Sequence, residues 1–299
     1  MLTPLRYPGG KARLGLWIAS LLEHNNISNG TYVEAYAGGA GAAMYLLINN
    51  HVSDIIINDI DPAIYAFWDS ILNDTDNFID LIDGALLTID EWDYHRDIYR
   101  GKLMADNLSL GFAAFYLNRT NRSGILKAGV IGGKAQSGKY KMDARFNRLA
   151  LKERIRIIST YRDRIKVYSE DAESFLSRCN LELPEKSLIY LDPPYYQKGS
   201  QLYTNFYTHQ DHVQIAKKLQ SYLKPAIITY DSCPSIKKIY EGFDKVEFDL
   251  IYSTHAARNN ASELLIYKNL TLPRSPFMSR SVKPFKVARG DDSLIQMVI

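Results

Sequence analysis

The sequence has few of the residues that build disulfide frameworks, metal clusters or membrane segments. Its 299 residues include two cysteines, Cys179 and Cys233, and no Cys-x-x-Cys pair, which argues against a disulfide scaffold and a zinc cluster. The apolar runs fall short of the roughly 18 residues that a membrane-spanning helix needs, and the first residues contain no apolar segment typical of a secretory signal. We therefore expect a soluble, cytoplasmic protein with reduced thiols, no metal and no membrane contact. A monomer is the expected state.

A large net charge is also missing, since 36 basic and 33 acidic residues leave only +3. The charge is distributed unevenly along the chain. Residues 94–168 contain 17 Lys or Arg and five acids, a net charge of +12, so the remainder carries −9. A basic segment within an otherwise acidic protein is typical of proteins that bind a polyanion. The alternative is a solvated basic surface without a partner.

What is present is a pattern of apolar runs and turns that predicts a doubly wound α/β sheet. Residues 31–36 read as a strand that ends in a glycine-rich turn, residues 37–41, and a helix is expected to follow. The isoleucine run at residues 55–57 predicts a second buried strand, with Asp59 at its end. Asp61-Pro62 supplies a cap and a first-turn proline for the next helix. This order places a ligand at the carboxyl ends of the strands.

The alternation stops between about residues 75 and 165 and then resumes. The interrupting segment is helical around a polar, glycine-rich stretch. We predict a catalytic domain of residues 1–75 and 165–270, a mostly helical target-recognition insertion of residues 76–164, and an irregular tail of residues 271–299. The catalytic domain should contain a seven-stranded, mainly parallel sheet. Beyond the first two strands, its strands are predicted at residues 166–169, 188–191, 226–230, 246–251 and 263–267.

The glycine-rich turn alone is a weak signal. Gly38-Gly39-Ala40-Gly41 lacks the GxGxxG spacing of dinucleotide-binding turns, and no Walker lysine follows it. The absence of bulky side chains allows a ligand to lie against the backbone. Asp59, one strand later, is positioned to accept hydrogen bonds from a ribose diol. The pair favours an adenosine-containing ligand, and an ordinary tight turn is the alternative.

The tetrapeptide Asp192-Pro193-Pro194-Tyr195, directly after a predicted buried strand, is the strongest signal. Its two prolines fix φ and remove two N–H donors, which leaves carbonyl oxygens free to accept. The Asp192 carboxylate and the Pro193 carbonyl oxygen are therefore expected to accept both hydrogens of a planar exocyclic amine. Tyr195 offers a flat face for a base to stack on, a contact worth about 1–3 kcal/mol. A capped strand end with a proline turn is the alternative.

Three separated segments, taken together, resemble the Dam-like DNA adenine-N6 methyltransferases: RYPGGK at residues 6–11, EAYAGGAG at 34–41, and DPPY at 192–195. Residues 58–61 are also similar to the second strand of that family, and the order of the segments agrees. The resemblance spans residues 4–268. It implies a Rossmann-like methyltransferase fold, S-adenosylmethionine as cofactor, and methylation of an adenine N6 amine. The adenine must leave the duplex, because its amine cannot reach a buried methyl donor while stacked.

The resemblance also implies roles for single residues. Tyr7 and Lys11 are expected near the methionine end of the cofactor, Asp59 on its ribose and Asp171 near its adenine. Without its neighbours, Lys11 would read as an ordinary helix-start lysine. The cofactor-site candidates are Tyr7, Pro8, Gly9, Gly10, Lys11, Glu34, Ala37, Gly38, Gly39, Asp59, Ile60, Asp171 and Asp192. The catalytic candidates are Asp192, Pro193, Pro194 and Tyr195.

The insertion matches this family less well. Residues 115–119 resemble the entry to its DNA-recognition region and residues 146–148 its exit, but the stretch between them departs from the pattern, so no recognition sequence is assigned. Double-stranded DNA is the expected partner. The DNA-contact candidates are Arg119, Arg122, Lys127, Lys134, Lys139, Lys141, Arg145 and Arg148. Most should contact phosphates, with one or two arginines reading guanine edges; a plain surface charge is the alternative for each.

Two further segments have open interpretations. The aromatic run at residues 203–207 either covers an extruded base or packs in the core. Residues 253–262 are polar and either approach DNA or form an ordinary loop, in which His255 has no special role.

Rival functions are an RNA or cytosine-N4 methyltransferase and a catalytically silent DNA-binding module. A separate cognate restriction endonuclease is an expected partner if the enzyme is not an orphan or phage methylase.

Overall fold

The structure, a computed structural model, describes residues 3–7, 11–196, 207–250 and 261–276. Within them lies one sheet of seven strands in the order β3-β2-β1-β4-β5-β7-β6. The strands are β1 (Thr31–Glu34), β2 (Asp54–Asn58), β3 (Ile165–Tyr168), β4 (Ser187–Leu191), β5 (Ala226–Asp231), β6 (Asp244–Leu250) and β7 (Ala261–Lys268). β7 runs antiparallel to both of its neighbours, and the other pairs are parallel. The expected seven-stranded, mainly parallel sheet is confirmed.

The strand order reverses between β1 and β4. From β1 the chain continues outward through β2 and β3, and then returns to β4 on the other side of β1. Val33 of β1 pairs with Ile56 of β2 on one side and with Ile189 of β4 on the other. In an open α/β sheet this reversal opens a crevice at the carboxyl ends of the two central strands, where ligands bind.

Ten α-helices lie within the described residues. They are α1 (Gly15–His24), α2 (Gly41–Ile48), α3 (Pro62–Asn73), α4 (Thr75–Gly84), α5 (Ile89–Tyr99), α6 (Asn107–Thr120), α7 (Arg148–Ser159), α8 (Ala172–Glu182), α9 (His209–Gln220) and α10 (Pro234–Ile239). The helix expected from residue 11 begins as a 3₁₀ turn, Lys11–Leu14, before α1. The start of α3 agrees with the cap predicted from the sequence. The Asp61 side chain accepts from Ala63 N, and Pro62 occupies the first turn of the helix.

The sheet separates two hydrophobic clusters. Tyr32 belongs to the cluster shared with α1–α7, whereas the next residue, Val33, belongs to the cluster shared with α8–α10. Leu188 and Ile189 of β4 alternate in the same way. Because both faces of these strands are buried, apolar residues follow one another without polar interruptions. This is why short apolar runs identify the central strands in the sequence.

Helices α4–α7 of the predicted insertion share the core of the first cluster rather than forming their own. α6 lies against α3, where the rings of Phe67 and Phe115 stack with centroids 6.0 Å apart. Gly111 makes the close approach possible, since a Cβ there would lie 2.5 Å from the Ala66 carbonyl oxygen. The domain boundaries remain a prediction.

No helix in the described ranges is both long and apolar enough to cross a membrane. The same ranges contain no group of three or more His, Cys, Asp or Glu side chains suited to a metal ion. Residues 271–276 follow β7 without a helix or strand, and the rest of the predicted irregular tail lies outside the described residues.

Candidate active site

The candidate residues collect at the carboxyl ends of β1, β2 and β4, around the reversal of strand order. Glu34 ends β1, Asn58 ends β2, and Asp192 directly follows β4. The parallel register of these strands brings residues far apart in sequence to one edge of the sheet.

The glycine-rich turn after β1 is packed against Tyr7. Gly38 and Ala40 have φ values of 45° and 44°, in the left-handed region. A Cβ on Gly38 would lie 2.7 Å from the Tyr7 ring, so only glycine fits there. The Gly38 carbonyl oxygen accepts from Trp68 Nε1 at 2.9 Å, which anchors the turn to α3. The structure thus brings together Tyr7 and Gly38, two of the predicted cofactor residues.

Asp59 lies beside this turn. Its Oδ2 accepts from Gly38 N at 2.8 Å and its Oδ1 from Asp61 N at 3.0 Å. A carboxylate has about four acceptor positions, so these two bonds leave capacity for a ligand. Burial raises the pKa of Asp59 to about 7, with the neighbouring Asp61 charge acting in the same direction. The adjacent Ile60 leaves 47% of its surface exposed, which provides an apolar patch at the same edge.

Two side chains below this edge serve the fold. Glu34 is buried, and its Oε1 accepts from Ala43 N at 2.8 Å in the first turn of α2. Burial raises the pKa of Glu34 to about 8. Asn58 donates to the carbonyl oxygens of Ala35 and Glu170 and so ties the ends of β1 and β3 together. A ligand role for Glu34 remains a prediction beside its observed role as a helix cap.

The remaining cofactor candidates within the described residues are Asp171, Ala37 and Gly39. The Asp171 side chain is exposed and caps α8 by accepting from Glu173 N at 2.9 Å and Ser174 N at 3.4 Å. Ala37 N donates to the Asn58 carbonyl oxygen at 2.8 Å, and Gly39 lies next to Tyr7. Contact of these residues with a cofactor stays a prediction. Pro8, Gly9 and Gly10 lie outside the described residues.

Asp192 is held by a buried lysine. Lys11 Nζ donates to Asp192 Oδ1 at 2.8 Å and to Oδ2 at 3.0 Å. The Lys11 side chain is only 4% exposed, and that of Asp192 is 20% exposed. Burial alone would lower the pKa of Lys11, but the Asp192 carboxylate, with smaller effects of Tyr190 and Glu263, raises it well above its ordinary value. The pair is therefore a buried ion pair that fixes the orientation of the carboxylate.

Thr229, near the end of β5, completes the surroundings of this carboxylate. Its Oγ1 donates to Asp192 Oδ1 at 2.8 Å, and it also shares a hydrogen bond of 2.7 Å with the Tyr190 hydroxyl. Thr229 was not predicted from the sequence. It lies in an apolar strand, and threonine is common in strands, so no local pattern distinguishes it.

The Tyr195 hydroxyl joins the same network. It accepts from Lys11 Nζ at 2.9 Å and donates to Glu263 Oε1 at 2.5 Å. Pro193 and Pro194 are buried between Asp192 and this tyrosine. Glu263 was also missed, although a signal exists, since it is the one acid among the residues of β7, ASELLIYK. The predicted catalytic tetrapeptide and the predicted cofactor lysine thus form one hydrogen-bonded unit.

This geometry can be compared with known proteins. Residues 7–254 match the model of the D12 class N6 adenine-specific DNA methyltransferase family. The chain belongs to this family. It is a methyltransferase with S-adenosylmethionine as its cofactor, which confirms the resemblance and the cofactor inferred from the sequence. No curated protein matches the chain in sequence.

Solved structures similar to this D12 family member include three methyltransferases. The rRNA methyltransferase aviRa from Streptomyces viridochromogenes is 12% identical, with 87% of this chain and 86% of that chain covered and a TM-score of 0.37. A SAM-dependent methyltransferase from Agrobacterium tumefaciens is 9% identical, with 85% of this chain and 59% of that chain covered and a TM-score of 0.40. An rRNA methylase from Streptococcus thermophilus is 9% identical, with 86% of this chain and 94% of that chain covered and a TM-score of 0.33. At these sequence identities and TM-scores, the structural similarity says nothing about the substrate of this protein.

Several aromatic side chains pack together just beyond the end of β1. The hydroxyls of Tyr36 and Tyr207 are 2.8 Å apart, and the Tyr207 ring lies 5.3 Å from that of the buried His212. Tyr207 is the last residue of the aromatic run at residues 203–207, and this residue packs against its neighbours. Residues 203–206 and the polar loop residues 253–260 lie outside the described part of the chain.

Arg119 and Arg148, two of the predicted DNA contacts, have other partners in the structure. Arg119 is buried; its Nε donates to the Arg145 carbonyl oxygen at 2.9 Å, and another guanidinium nitrogen donates to that of Pro4 at 3.2 Å. Burial lowers the pKa of Arg119 to about 9. Arg148 donates to the carbonyl oxygens of Ile82 and Ala85 at the end of α4. Both guanidinium groups bind backbone oxygens in the structure, and contact of these two residues with DNA remains a prediction.

The other six candidates are exposed at the surface of the insertion. Lys134 forms an ion pair with Asp93 at 2.8 Å, and its Nζ also lies 5.6 Å from the centre of the Trp92 ring. The exposed candidates are Arg122, Lys127, Lys134, Lys139, Lys141 and Arg145. Their contact with DNA remains a prediction.

Proposed function

We propose that this D12 family member transfers a methyl group from S-adenosylmethionine to the N6 amine of an adenine extruded from duplex DNA. The observation that carries the proposal is the buried ion pair between Lys11 and Asp192. It sets an ionised carboxylate, already oriented, at the crevice where the strand order reverses. The glycine-rich turn and Asp59 border the same crevice.

The residues at the ends of β1 and β2 fit the cofactor. Gly38 has no side chain, which allows the Tyr7 ring to pack directly against the glycine-rich turn. Asp59 retains acceptor capacity for the ribose hydroxyls, and the exposed Ile60 offers an apolar contact for the adenine ring. When bound, the cofactor supplies a methyl group on a positively charged sulfur.

Asp192 acts on the target amine as a hydrogen-bond acceptor. Among the described residues its Oδ1 accepts from Lys11 and Thr229, whereas Oδ2 accepts from Lys11 alone, which leaves an acceptor position on Oδ2. With the Pro193 carbonyl oxygen as the second acceptor, both amine hydrogens are held. The nitrogen then becomes pyramidal, and its lone pair is no longer delocalised into the ring. No base is needed before the transfer, since the methylated amine loses its proton readily.

The exposed basic residues of the insertion are the proposed DNA surface. Residues 94–168 carry a net charge of +12, and six of the eight DNA candidates are exposed there. Cations that contact phosphates supply affinity and orientation on the duplex without reading the sequence. This surface favours a nucleic-acid substrate over a free nucleoside.

The test is to identify the methylated base. The purified protein is incubated with unmethylated duplex DNA and methyl-labelled S-adenosylmethionine, and the DNA is digested to nucleosides and separated by chromatography. Label in N6-methyldeoxyadenosine is expected. Label in N4-methyldeoxycytidine, or only in an RNA offered in parallel, would refute the proposed substrate. Calorimetry without measurable cofactor binding would instead indicate a silent DNA-binding module.

A further inference from the structure

Glu263 is an acid in the apolar interior of the sheet. It lies on β7 and pairs with Asp231 of β5 and Phe248 of β6. Its exposed fraction is 1%, and the next residues of the strand, Leu264 and Leu265, are buried as well. A buried carboxyl group is costly unless it is hydrogen-bonded or paired. The groups that compensate Glu263 therefore indicate what it does.

Those groups belong to the methyl-transfer site. Glu263 Oε1 accepts from the Tyr195 hydroxyl at 2.5 Å and lies 3.6 Å from Lys11 Nζ. The same ammonium donates to Asp192. Lys11 is thus placed between two carboxylates, and the Tyr195 hydroxyl is held on one side by the ammonium and on the other by Glu263. Glu263 Oε2 is buried and has no hydrogen-bond partner among the described residues.

Stability alone does not account for this acid. Burial raises the pKa of Glu263, and the Lys11 ammonium opposes that shift. Replacement of buried ionic groups by well-packed apolar residues is often neutral or stabilising. A leucine would match Leu264 and Leu265 in this strand. What Glu263 contributes is a hydrogen-bond acceptor for the Tyr195 hydroxyl, and an apolar residue at this position could not accept that bond.

We propose that Glu263 is a positioning residue for methyl transfer. By accepting from the Tyr195 hydroxyl, it fixes the ring on which the target base stacks, and by its proximity to Lys11 it keeps the ammonium in place beside Asp192. This inference rests on the proposed function, in which Tyr195 and Asp192 contact the extruded adenine.

The experiment compares Glu263→Ala, Glu263→Gln, Tyr195→Phe and the double variant Glu263→Ala/Tyr195→Phe in the full chain. Glu247→Gln is the matched control, since Glu247 lies on the neighbouring strand β6 and forms an exposed ion pair with Lys237. Thermal unfolding of each variant establishes that it is folded. Single-turnover methylation rates and the KM for S-adenosylmethionine are then measured.

For Glu263→Ala we expect the rate of methyl transfer to fall about 100-fold, the loss typical of a small misplacement of reacting groups. The KM for the cofactor should change little. Glu263→Gln should recover much of the rate, because its amide oxygen still accepts from the Tyr195 hydroxyl. In the Tyr195→Phe background, Glu263→Ala should cause a much smaller loss than in the wild type, since the hydroxyl that Glu263 holds is gone and only its proximity to Lys11 remains. Independent, additive losses, or a wild-type rate in folded Glu263→Ala, would overturn the inference.

A crystal structure of Glu263→Ala gives a readout that does not depend on activity. The Tyr195 hydroxyl is expected to move away from the Lys11 ammonium, and an unchanged position would overturn the inference. A wild-type protein that methylates no adenine would refute the proposed function alone. The position of Tyr195 in the variant would still decide whether Glu263 places it.

Discussion

The proposed methyl-transfer site and the basic insertion differ in where their charged side chains lie. In the site, Lys11 and Glu263 are buried and Asp192 is largely covered, and the Lys11 ammonium is paired with both carboxylates. In the insertion, six of the eight DNA candidates remain exposed, and the buried Arg119 binds backbone oxygens instead of an acid. A buried charge requires a fixed partner and therefore defines geometry, whereas exposed charges contribute mainly through their summed field. A single substitution should thus have a large effect in the site and a small one on the surface.

The largest effect is expected for Asp192→Asn. The amide keeps the shape of the side chain but loses the ionised acceptor, so the rate of methyl transfer should fall about 1,000-fold, as when an oriented polar group is removed from other active sites. DNA affinity should change little, because the exposed cations of the insertion are intact. Single-turnover assays and DNA-binding titrations measure the two quantities.

The asparagine is preferred to alanine because Asp192→Ala leaves the buried Lys11 ammonium without its main partner. Breaking a buried pair in this way costs about 3–5 kcal/mol of stability and would confuse a loss of folding with a loss of chemistry. Thermal unfolding of Asp192→Asn provides the control. A folded variant with the wild-type rate would contradict the acceptor role.

A smaller effect is expected for cofactor binding as a function of pH. The pKa of Asp59 is raised to about 7, so the carboxylate is mostly protonated at pH 6 and mostly ionised at pH 8. The ionised form accepts ribose hydroxyls better, and the affinity for S-adenosylmethionine should therefore rise up to about tenfold between these pH values. Calorimetry at several pH values measures it.

Asp59→Asn should bind the cofactor more weakly and show a flat profile, because the amide does not titrate in this range. Asp54→Asn, at the opposite end of β2, is the matched control and should keep the wild-type profile. If Asp59→Asn retained the full pH dependence, another group would be responsible and the ribose assignment of Asp59 would be lost.

The smallest effect on function is expected when single arginines of the insertion are substituted. The effect should differ between exposed and buried arginines. The exposed Arg122, changed to Gln, should lower the slope of log K for DNA against log salt by about 0.9 if it contacts one phosphate. The buried Arg119, changed to Met, should leave that slope unchanged. It should instead lower the free energy of unfolding by about 1–3 kcal/mol, because the Pro4 and Arg145 carbonyl oxygens lose their donor.

Fluorescence anisotropy over a range of KCl concentrations and urea unfolding measure these two quantities. A salt slope that falls for Arg119→Met in a folded protein would show that Arg119 contacts a phosphate. An unchanged slope for Arg122→Gln would remove that residue from the proposed DNA surface.

Much of the sheet was predictable because its signals are local. The run at residues 188–191 is buried on both faces, and in the isoleucine run Ile55 and Ile57 are buried while Ile56 is partly buried on the other face. Asp61 and Pro62 similarly begin α3 through contacts within one turn. The tetrapeptide at residues 192–195 stands out for the same reason, since its prolines restrict its own backbone.

The partners of these residues were not predictable in the same way. Lys11 contacts Asp192 across 181 residues, and Tyr195 contacts Glu263 across 68. Nothing near Thr229 or Glu263 in the sequence indicates which side chain each will meet. The burial of Arg119 was not predictable either, because a sequence gives the charge of a residue but not whether that charge faces solvent.

The family and the cofactor could thus be read from residues 6–11, 34–41 and 192–195, and the order of strands and helices from apolar runs and caps, because these signals are local in the sequence. The network of Lys11, Asp192, Tyr195 and Glu263 and the split between buried and exposed arginines arise from long-range packing. That packing removes some charges from water and leaves others in it, and a buried charge is stable only beside the partner that the fold supplies.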